Sequence, residues 1–479
     1  MCLAAEQRIA DMFLSRFLSG LVLLVLAALV SNAAGADAQN APRGLVVIEP
    51  IPAAAAQQRP ETGPVVGPSV QGVVSQPLQQ PLLDGEVPCP GLCLAQLEQI
   101  ALRRNPTLCQ AAMRIRAANG EFEQVGLYPN PVAGYSSEEM GTEGTAGKQG
   151  AFVSQEFVTG GKLKLNRAVA SQEIRQAEAA WHSQMRRVLN DVHSAYFEVL
   201  FAQQTMEINE QLVRVGDENL KAAEHLLAAK EVSLVDVLQA SVEADAARVR
   251  LQNARNRQQS AWRQLTAVVG DPEMQSVVLA GRLQDNPPLL DADTALQQVL
   301  AASPQLAEAR AGLARARCQV DREYAERIPN VNLRTAVHYN NAIGENIAAV
   351  EVGVPLPLFN RNQGNIAKAH AQLVAAENEV GRMELELRRK FALVFEQYAN
   401  AQQQTQTYGE RIVPNSQKTL DLTRSGYQQG EFNYQALLIA QRTYFQANLS
   451  YLESLLQLRL SAVSIEGLLV SDGLQGASN

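Results

Sequence analysis

The feature that most constrains the fold of this chain is an internal duplication with a shift of about 200 residues. The register of the match barely drifts along the chain, and agreement at every position by chance is implausible. Identical residues occupy equivalent positions in the two halves, among them Pro129 and Pro329, Asn130 and Asn330, Glu231 and Glu431, and Ala240 and Ala440. We therefore predict two structural repeats, at residues 89–285 and 286–472.

Each repeat is predicted to contain the same elements in the same order. A helix of about 30 residues comes first, then a β-hairpin, a very long helix and a helix of about 35 residues. We expect the first helix at residues 94–127 and at residues 291–327, where Pro129 or Pro329 follows its end.

The very long helices are indicated by a sustained spacing of apolar and small side chains. In the second repeat these side chains recur every three or four positions from Leu373 to Ile412, which is a coiled-coil period. In the first repeat no proline lies between Lys162 and Val269. A helix of about 65 residues would be about 100 Å long, far longer than a globular domain needs.

The hairpins are predicted from alternating apolar and polar residues at 132–140, 150–158, 331–339 and 348–354. Val331, Leu333 and Val337 lie on one face of their segment, while Asn332 and Arg334 lie on the other. This pattern is typical of a transmembrane β-strand, with an ordinary soluble hairpin as the alternative. Four strands cannot close a barrel, and lipid tolerates no open edge, so spanning strands would have to be shared between chains.

The N-terminal part of the chain is predicted to direct export. Residues 1–36 combine positive charge, an apolar stretch at 17–30 and a small-residue cleavage site at Ala34-Gly35-Ala36, as in a signal peptide. A single membrane anchor is the alternative, but the apolar stretch is about 14 residues and a spanning helix needs about 20. Residues 37–88 are rich in Pro, Ala, Gln and Gly and are predicted to form a disordered linker, and residues 473–479 a C-terminal tail.

Composition argues against an enzyme and against a nucleic-acid partner. The net charge is −8 without a basic block, whereas phosphate binding needs clustered Lys and Arg. The sequence contains no phosphate loop, dinucleotide fingerprint or metalloprotease helix. We therefore assign no catalytic, cofactor-binding or metal-binding residues.

Signal removal would take Cys2 and leave four cysteines in an oxidising compartment. Cys89 and Cys93 are close enough in sequence to form a disulfide, and as metal ligands they would make half a site at most. Cys109 and Cys318 are predicted to be buried or free thiols. The sequence leaves the pairing of Cys89 with Cys93 open.

The signal, the duplicated halves, the hairpins and the very long helices together resemble the TolC family of outer membrane efflux proteins over residues 90–472. The most specific signs lie at the helix breaks. Residues 426–438 resemble the family's Tyr-x-x-Gly turn, and residues 229–238 resemble its partner in the other repeat. Residues 154–162, which end in Thr-Gly-Gly-Lys, resemble the heavy-metal-efflux branch of the family, which works with proton-driven pumps.

The resemblance implies a mainly α fold with a small transmembrane β part. Three copies would share a β-barrel of about 12 strands, and their helices would form a coiled-coil α-barrel across the periplasm. A periplasmic adaptor protein would dock at the helix breaks and connect the homotrimer to an inner-membrane pump. The expected function is the outer membrane channel of a tripartite efflux system, exporting solutes such as heavy-metal cations or drugs. A type I protein secretion conduit and an exported coiled-coil scaffold without a pore are the alternatives.

The resemblance also implies a periplasmic gate at Tyr427 and Asp236, where a phenol would donate to a carboxylate. Arg424 lies one turn before Tyr427 and is expected either to pair with an acid at the gate or to remain a solvated charge. Phe432 stands where the best-known family member has an Arg, and would either narrow the channel or pack within the turn. Ala436 replaces an acidic position of the family, which argues against a charged ring there.

The exposed tips of the helix pairs are the expected docking site of the adaptor. The glycine expected in the first turn is replaced by Lys230, so we expect that turn to be shaped differently. The resemblance assigns the docking role to the residues at both breaks, namely Lys230, Glu231, Val232, Ser233, Gly430, Glu431 and Asn433.

Overall fold

The computed structural model describes residues 92–474, except 142, 143, 145, 286, 430 and 472. The predicted signal peptide, the predicted linker, Cys89, Gly430 and most of the predicted tail lie outside the described residues. The pairing of Cys89 with Cys93 therefore stays a prediction. Cys109 and Cys318 are free thiols, as expected.

The two halves contain the same order of helices and strands. The first half consists of α1 (Leu94–Arg104), α2 (Pro106–Gln124), β1 (Val132–Glu138), β2 (Lys148–Phe157), α3 (Lys162–Ala228) and α4 (Leu234–Val269). The second consists of α5 (Ala292–Ala302), α6 (Pro304–Ala325), β3 (Val331–Asn340), β4 (Glu345–Gly353), α7 (Gln363–Thr407), a π-helical turn (Tyr408–Ile412), α8 (Val413–Gln428) and α9 (Tyr434–Glu466). The fold is mainly helical with one small sheet, as predicted.

The prediction of one helix at the start of each repeat is wrong, because each is broken in two at a proline. Pro106 and Pro304 exclude the preceding residue from the helical conformation. Asn105 accordingly has φ −66° and ψ 119°, and Ser303 has φ −59° and ψ 119°. Asn105 also caps the second helix, since its side chain accepts a hydrogen bond from the Thr107 amide at 3.0 Å.

The very long helix is confirmed in the first repeat and interrupted in the second. Helix α3 runs unbroken for 67 residues. In the second repeat the helix passes through a π-helical turn between α7 and α8. Pro414 follows that turn, and a proline inside a helix lacks the N–H that the helical hydrogen bond needs. The apolar spacing seen in the sequence ends at Ile412, the last residue of this turn, and therefore does not reveal the turn.

The long helices pack side by side in the order α4, α3, α9 and then α7 with α8. Small residues let α3 and α4 approach closely: a Cβ at Gly216 would lie 3.3 Å from Cα of Ala244. The face of α4 that is buried against α3 is a row of alanines at heptad-like spacing, namely Ala240, Ala244, Ala247, Ala254 and Ala261. Within the described residues no helix is long and apolar enough to cross a membrane.

The two hairpins join in one antiparallel sheet of four strands, in the order β1-β2-β3-β4. Strand β2 of the first repeat pairs with β3 of the second, and Val153 stands opposite Thr335. The apolar face is exposed in the single chain, with Tyr135, Val337 and Val350 each more than half exposed. The strand predictions are therefore confirmed, including the alternation along β3.

Where the strands meet the helices, a buried lysine connects the two repeats. Lys162 begins α3 and is only 5% exposed. Its Nζ donates to Oδ1 of Asn330 at 2.8 Å and lies 3.5 Å from a carboxylate oxygen of Glu326. Asn330 in turn donates to Glu156 at 2.7 Å. A lysine is unfavourable at a helix N-terminus, so this position is explained by the network and not by helix stability.

The same junction contains a buried carboxylate in the second repeat. Glu323 accepts hydrogen bonds from Asn362 at 2.7 Å, from Arg322 at 2.7 Å and from Gln319 at 2.8 Å. Arg322 also bonds Glu326, 3.1 Å away. Because Glu326 belongs to both groups, the network is continuous from β2 through α6 to the start of α7.

Candidate functional site

The candidate site consists of two turns between helices. The first turn joins α3 to α4, and the second joins α8 to α9. In the first turn the Glu231 amide donates to the Leu226 carbonyl at 2.9 Å, which closes the end of α3. Lys230 adopts φ 60°, the left-handed conformation that a glycine would favour. The expectation of a differently shaped turn is therefore wrong, although a lysine there carries a strain of about 1 kcal/mol.

The second turn repeats this hydrogen bond, with the Glu431 amide donating to the Gly426 carbonyl at 2.8 Å. The Phe432 ring lies against the backbone of Gly426, so closely that a Cβ on Gly426 would be 2.3 Å from Phe432 Cδ2. Phe432 remains 48% exposed. This contact favours the packing alternative for Phe432. Sequence reasoning gave Gly426 no role, although a glycine inside a helical pattern is a signal of close packing.

Asp236 has a local role at the start of α4. Its carboxylate accepts hydrogen bonds from the Ser233 amide at 3.0 Å and from the Ser233 hydroxyl at 2.8 Å. The Asp236 amide donates back to the Ser233 hydroxyl at 3.3 Å, which completes a capping box. In the second turn Asn433 accepts from the Ala436 amide at 2.9 Å, without a carboxylate.

Two tyrosines meet beside Asp236. The rings of Tyr427 and Tyr434 have centroids 6.3 Å apart, inclined at 58°. Burial raises the pKa of Tyr427, and the charge of Asp236 raises it further. Burial, Tyr427 and Asp236, in that order, raise the pKa of Tyr434. Both phenols are therefore neutral at physiological pH, and a neutral phenol can donate a hydrogen bond.

The structure thus brings Tyr427 and Asp236 into one neighbourhood, as the resemblance implied. No hydrogen bond joins them in the described part of the chain, because the Asp236 carboxylate is directed to Ser233. Tyr434 is a member of this cluster that sequence reasoning missed. Its signal is an aromatic side chain directly after the helix cap, where the first repeat has Leu234.

The remaining predicted residues are on the surface. Arg424 is exposed and forms no ion pair with the residues that the structure describes, which favours a solvated charge. Val232 is half-buried, while the other described residues assigned to docking are exposed, namely Lys230, Glu231, Ser233, Glu431 and Asn433. The two tips therefore present charged and polar groups to solvent.

Just beyond the turns, polar contacts connect the two helix pairs. Arg442 of α9 pairs with Glu243 of α4. Asn219 of α3 donates to Gln441 of α9 at 3.0 Å. A cavity of about 500 Å³ lies among these three helices, with Tyr434 in its wall. These contacts were missed because nothing in the spacing of either helix marks which charged residue faces its neighbour.

Comparison with known proteins defines the family. Residues 97–271 and 295–469 match the family model described as outer membrane efflux protein, once in each half of the chain. The matched segments cover well over half of the sequence, and the chain belongs to this family.

Individual relatives agree in length and architecture. The chain is 29% identical over 380 residues to the cobalt-zinc-cadmium resistance protein CzcC of Cupriavidus metallidurans, covering 79% of this chain and 90% of the relative. The outer membrane protein VceC of Vibrio cholerae matches with a TM-score of 0.64 and 20% identity, covering 79% and 96% of the two chains. The open state of the MtrE outer membrane channel of Neisseria gonorrhoeae matches with a TM-score of 0.65 and 17% identity, covering 79% and 89%.

The resemblance to outer membrane efflux proteins is thereby confirmed. The chain is the outer membrane channel component of an efflux system and not an enzyme.

Proposed function

We propose that three copies of the chain form one tunnel that spans the outer membrane with strands and extends into the periplasm with helices. One observation carries this proposal: a single chain contributes a sheet with an exposed apolar face next to a helix of 67 residues. A sheet of four strands is too small to close on itself, and a spanning sheet has to be closed. Sharing strands among copies satisfies both conditions.

The helix arrangement supports the same assembly. Helix α4 packs mainly on α3, whereas α7 packs mainly on α6 and α9. Exposed apolar side chains lie on both, among them Val235, Leu238 and Val242 on α4 and Leu385 and Leu393 on α7. Two different free faces fit a head-to-tail ring, in which α4 of one copy contacts α7 of the next.

The helix turns would form the periplasmic gate of this tunnel. Support comes from the cluster of Tyr427, Tyr434 and Asp236, which relies on a pair of neutral phenols near one carboxylate. A small shift of one helix pair would separate these groups, as a gate requires. The exposed tips at Lys230 and Glu431 are suited to a polar contact with a periplasmic adaptor that leads to an inner-membrane pump.

We further propose that the cargo is a heavy-metal cation and that the pump is proton-driven. Support comes from the relative that confers resistance to cobalt, zinc and cadmium. The resemblance of residues 154–162 to the heavy-metal-efflux branch adds to it.

The test is purification from outer membranes followed by single-channel recording in a planar bilayer. We expect heat-resistant trimers and ion conductance. A soluble monomer would contradict the proposal and favour a scaffold without a pore. In cells carrying the neighbouring pump and adaptor genes, deletion should lower tolerance to cobalt, zinc and cadmium. Unchanged metal tolerance with loss of a secreted protein would favour a type I secretion conduit instead.

A further inference from the structure

Every charged side chain of the four strands lies on the same face of the sheet. The pairing register places Ser154 opposite Arg334, and Arg334 opposite Glu351. Side chains alternate between faces along a strand, so residues two apart share a face. When the faces are assigned from this row of paired residues, all charged side chains of the strands fall on one face. They are Glu138, Lys148, Glu156, Arg334, Glu345 and Glu351. The opposite face carries none.

An ordered cluster occupies the middle of the charged face. The guanidinium carbon of Arg334 lies 4.4 Å from the centroid of the Phe152 ring, within the range of a cation–π contact. Nη1 of Arg334 lies 3.8 Å from Oε2 of Glu351 on the neighbouring strand. Phe152 itself lies over Gly134, where a Cβ would be 2.7 Å from Phe152 Cε1. The ring therefore fills the space above a glycine and supports the arginine.

Two other charges of this face have partners at the ends of their strand. Lys148 lies at the loop end of β2 and pairs with Glu139. Glu156 lies at the helix end of the same strand and accepts from Asn330 at 2.7 Å. Arg334 is thus the one cation of the four strands that is placed between these two ends. Its pair with Glu351 is accessible to solvent, since the two side chains are 37% and 73% exposed.

We propose that Arg334, supported by Phe152 and opposed by Glu351, sets the ion selectivity of the channel in its strand-built part, separately from the helix turns. This inference rests on the proposed function, in which the charged face lines the pore and the apolar face meets lipid. Fixed charges in a water-filled passage with low-dielectric walls raise the local concentration of counter-ions. In a trimer Arg334 would lower the local concentration of cations and Glu351 would raise it, so the passage of a cationic cargo depends on the balance between the two charges.

The test is the reversal potential of single channels in a gradient of potassium chloride. Arg334→Gln should raise the permeability of potassium relative to chloride by about twofold or more, and Glu351→Gln should lower it by a similar factor. Arg334→Lys keeps the charge and should stay close to the original protein. Arg327→Gln makes the same chemical change just before β3, outside the strands, and should leave the ratio unchanged.

Two results would overturn the inference. One is an unshifted ratio in both glutamine variants, and the other is a shift of the same sign in both. If Arg334→Gln fails to assemble into trimers, the sign of the Glu351→Gln shift decides alone. An original protein without any conductance overturns the proposed channel and this inference together, whereas a conducting protein with unshifted variants overturns this inference only.

Discussion

The two ends of the long helices are built in opposite ways. At the strand end, Lys162 of the first repeat is almost fully buried, and its ammonium group contacts Asn330 and Glu326 of the second repeat. At the turn end, Lys230 and Glu431 are exposed and the tyrosine pair is only partly buried. A buried polar network that is fully partnered fixes one geometry, while a few partly exposed contacts permit more than one. The difference indicates a fixed joint at the strands and a movable end at the turns, which is the end that we propose as the gate.

The largest expected effect comes from removing the buried charge at the joint. Lys162→Met would leave Asn330 and Glu326 without their shared partner, at a loss of about 2–4 kcal/mol in the free energy of unfolding. The measurement is the urea concentration or the temperature at which assembled protein unfolds. Lys164→Met is the matched control, because Lys164 lies two residues away and is exposed. Equal stability of the two variants would show that the joint is not fixed by Lys162.

A smaller effect is expected at the second turn. Gly426→Ala adds a methyl group where Phe432 already lies, and should destabilise the turn by about 1–2 kcal/mol. Gly381→Ala is the control, since a Cβ there meets no atom within 4 Å and alanine favours helix. Adding Phe432→Ala to Gly426→Ala should remove much of the penalty. A penalty that persists in the double variant would mean that the contact does not explain the glycine.

A modest change in gating is expected at the tyrosine cluster. Tyr427→Phe together with Asp236→Asn removes the phenol and the charge, and should raise the open probability of single channels about fivefold. The two residues contribute about 1 kcal/mol or less to the closed state because both are partly solvated. Arg424→Gln serves as the control one helical turn away, and should leave the open probability unchanged. An equal rise in open probability in Arg424→Gln would show that Tyr427 and Asp236 have no specific role in gating.

The smallest effect is a dependence on alkaline pH. Both phenols have a raised pKa in the folded protein, so the folded state binds more protons than the unfolded state above the ordinary tyrosine pKa of about 10. The stability contributed by the pair is therefore constant below pH of about 10 and falls as the pH rises through the folded values. Chemical unfolding of the original protein and of Tyr427→Phe with Tyr434→Phe should diverge only in that alkaline range. Divergence near neutral pH would contradict the assigned burial.

The sequence predicted those elements well that follow from a long repeating pattern. It predicted less well the helix breaks that depend on a single residue. The duplication, the four strands and the length of α3 all follow from periodicities that extend over many residues. The breaks at Asn105 and Ser303 depend on one proline each, Pro106 and Pro304, and the apolar spacing does not mark them. The π-helical turn lies at the end of the apolar spacing, which stops at Ile412, so the spacing does not reveal it.

The sequence predicted where the candidate site lies but not which residues contact each other within it. Tyr427 and Asp236 lie in one cluster, but Asp236 bonds to Ser233 and the second tyrosine is Tyr434. The replacement of the expected glycine by Lys230 did not change the turn, because Lys230 adopts the left-handed backbone conformation that a glycine would favour. Tertiary contacts such as Arg442 with Glu243 join residues almost 200 positions apart, and no local pattern identifies them.

The central claim, a fixed joint at the strands and a movable end at the turns, is tested most directly by amide hydrogen exchange on the assembled protein. Peptides from residues 222–238 and 422–438 should exchange at least about tenfold faster than peptides from residues 156–170 and 318–332. Lys162→Met should raise exchange in the second pair toward that of the first. Equal rates at the two ends, or faster exchange at the strand junction, would contradict the claim.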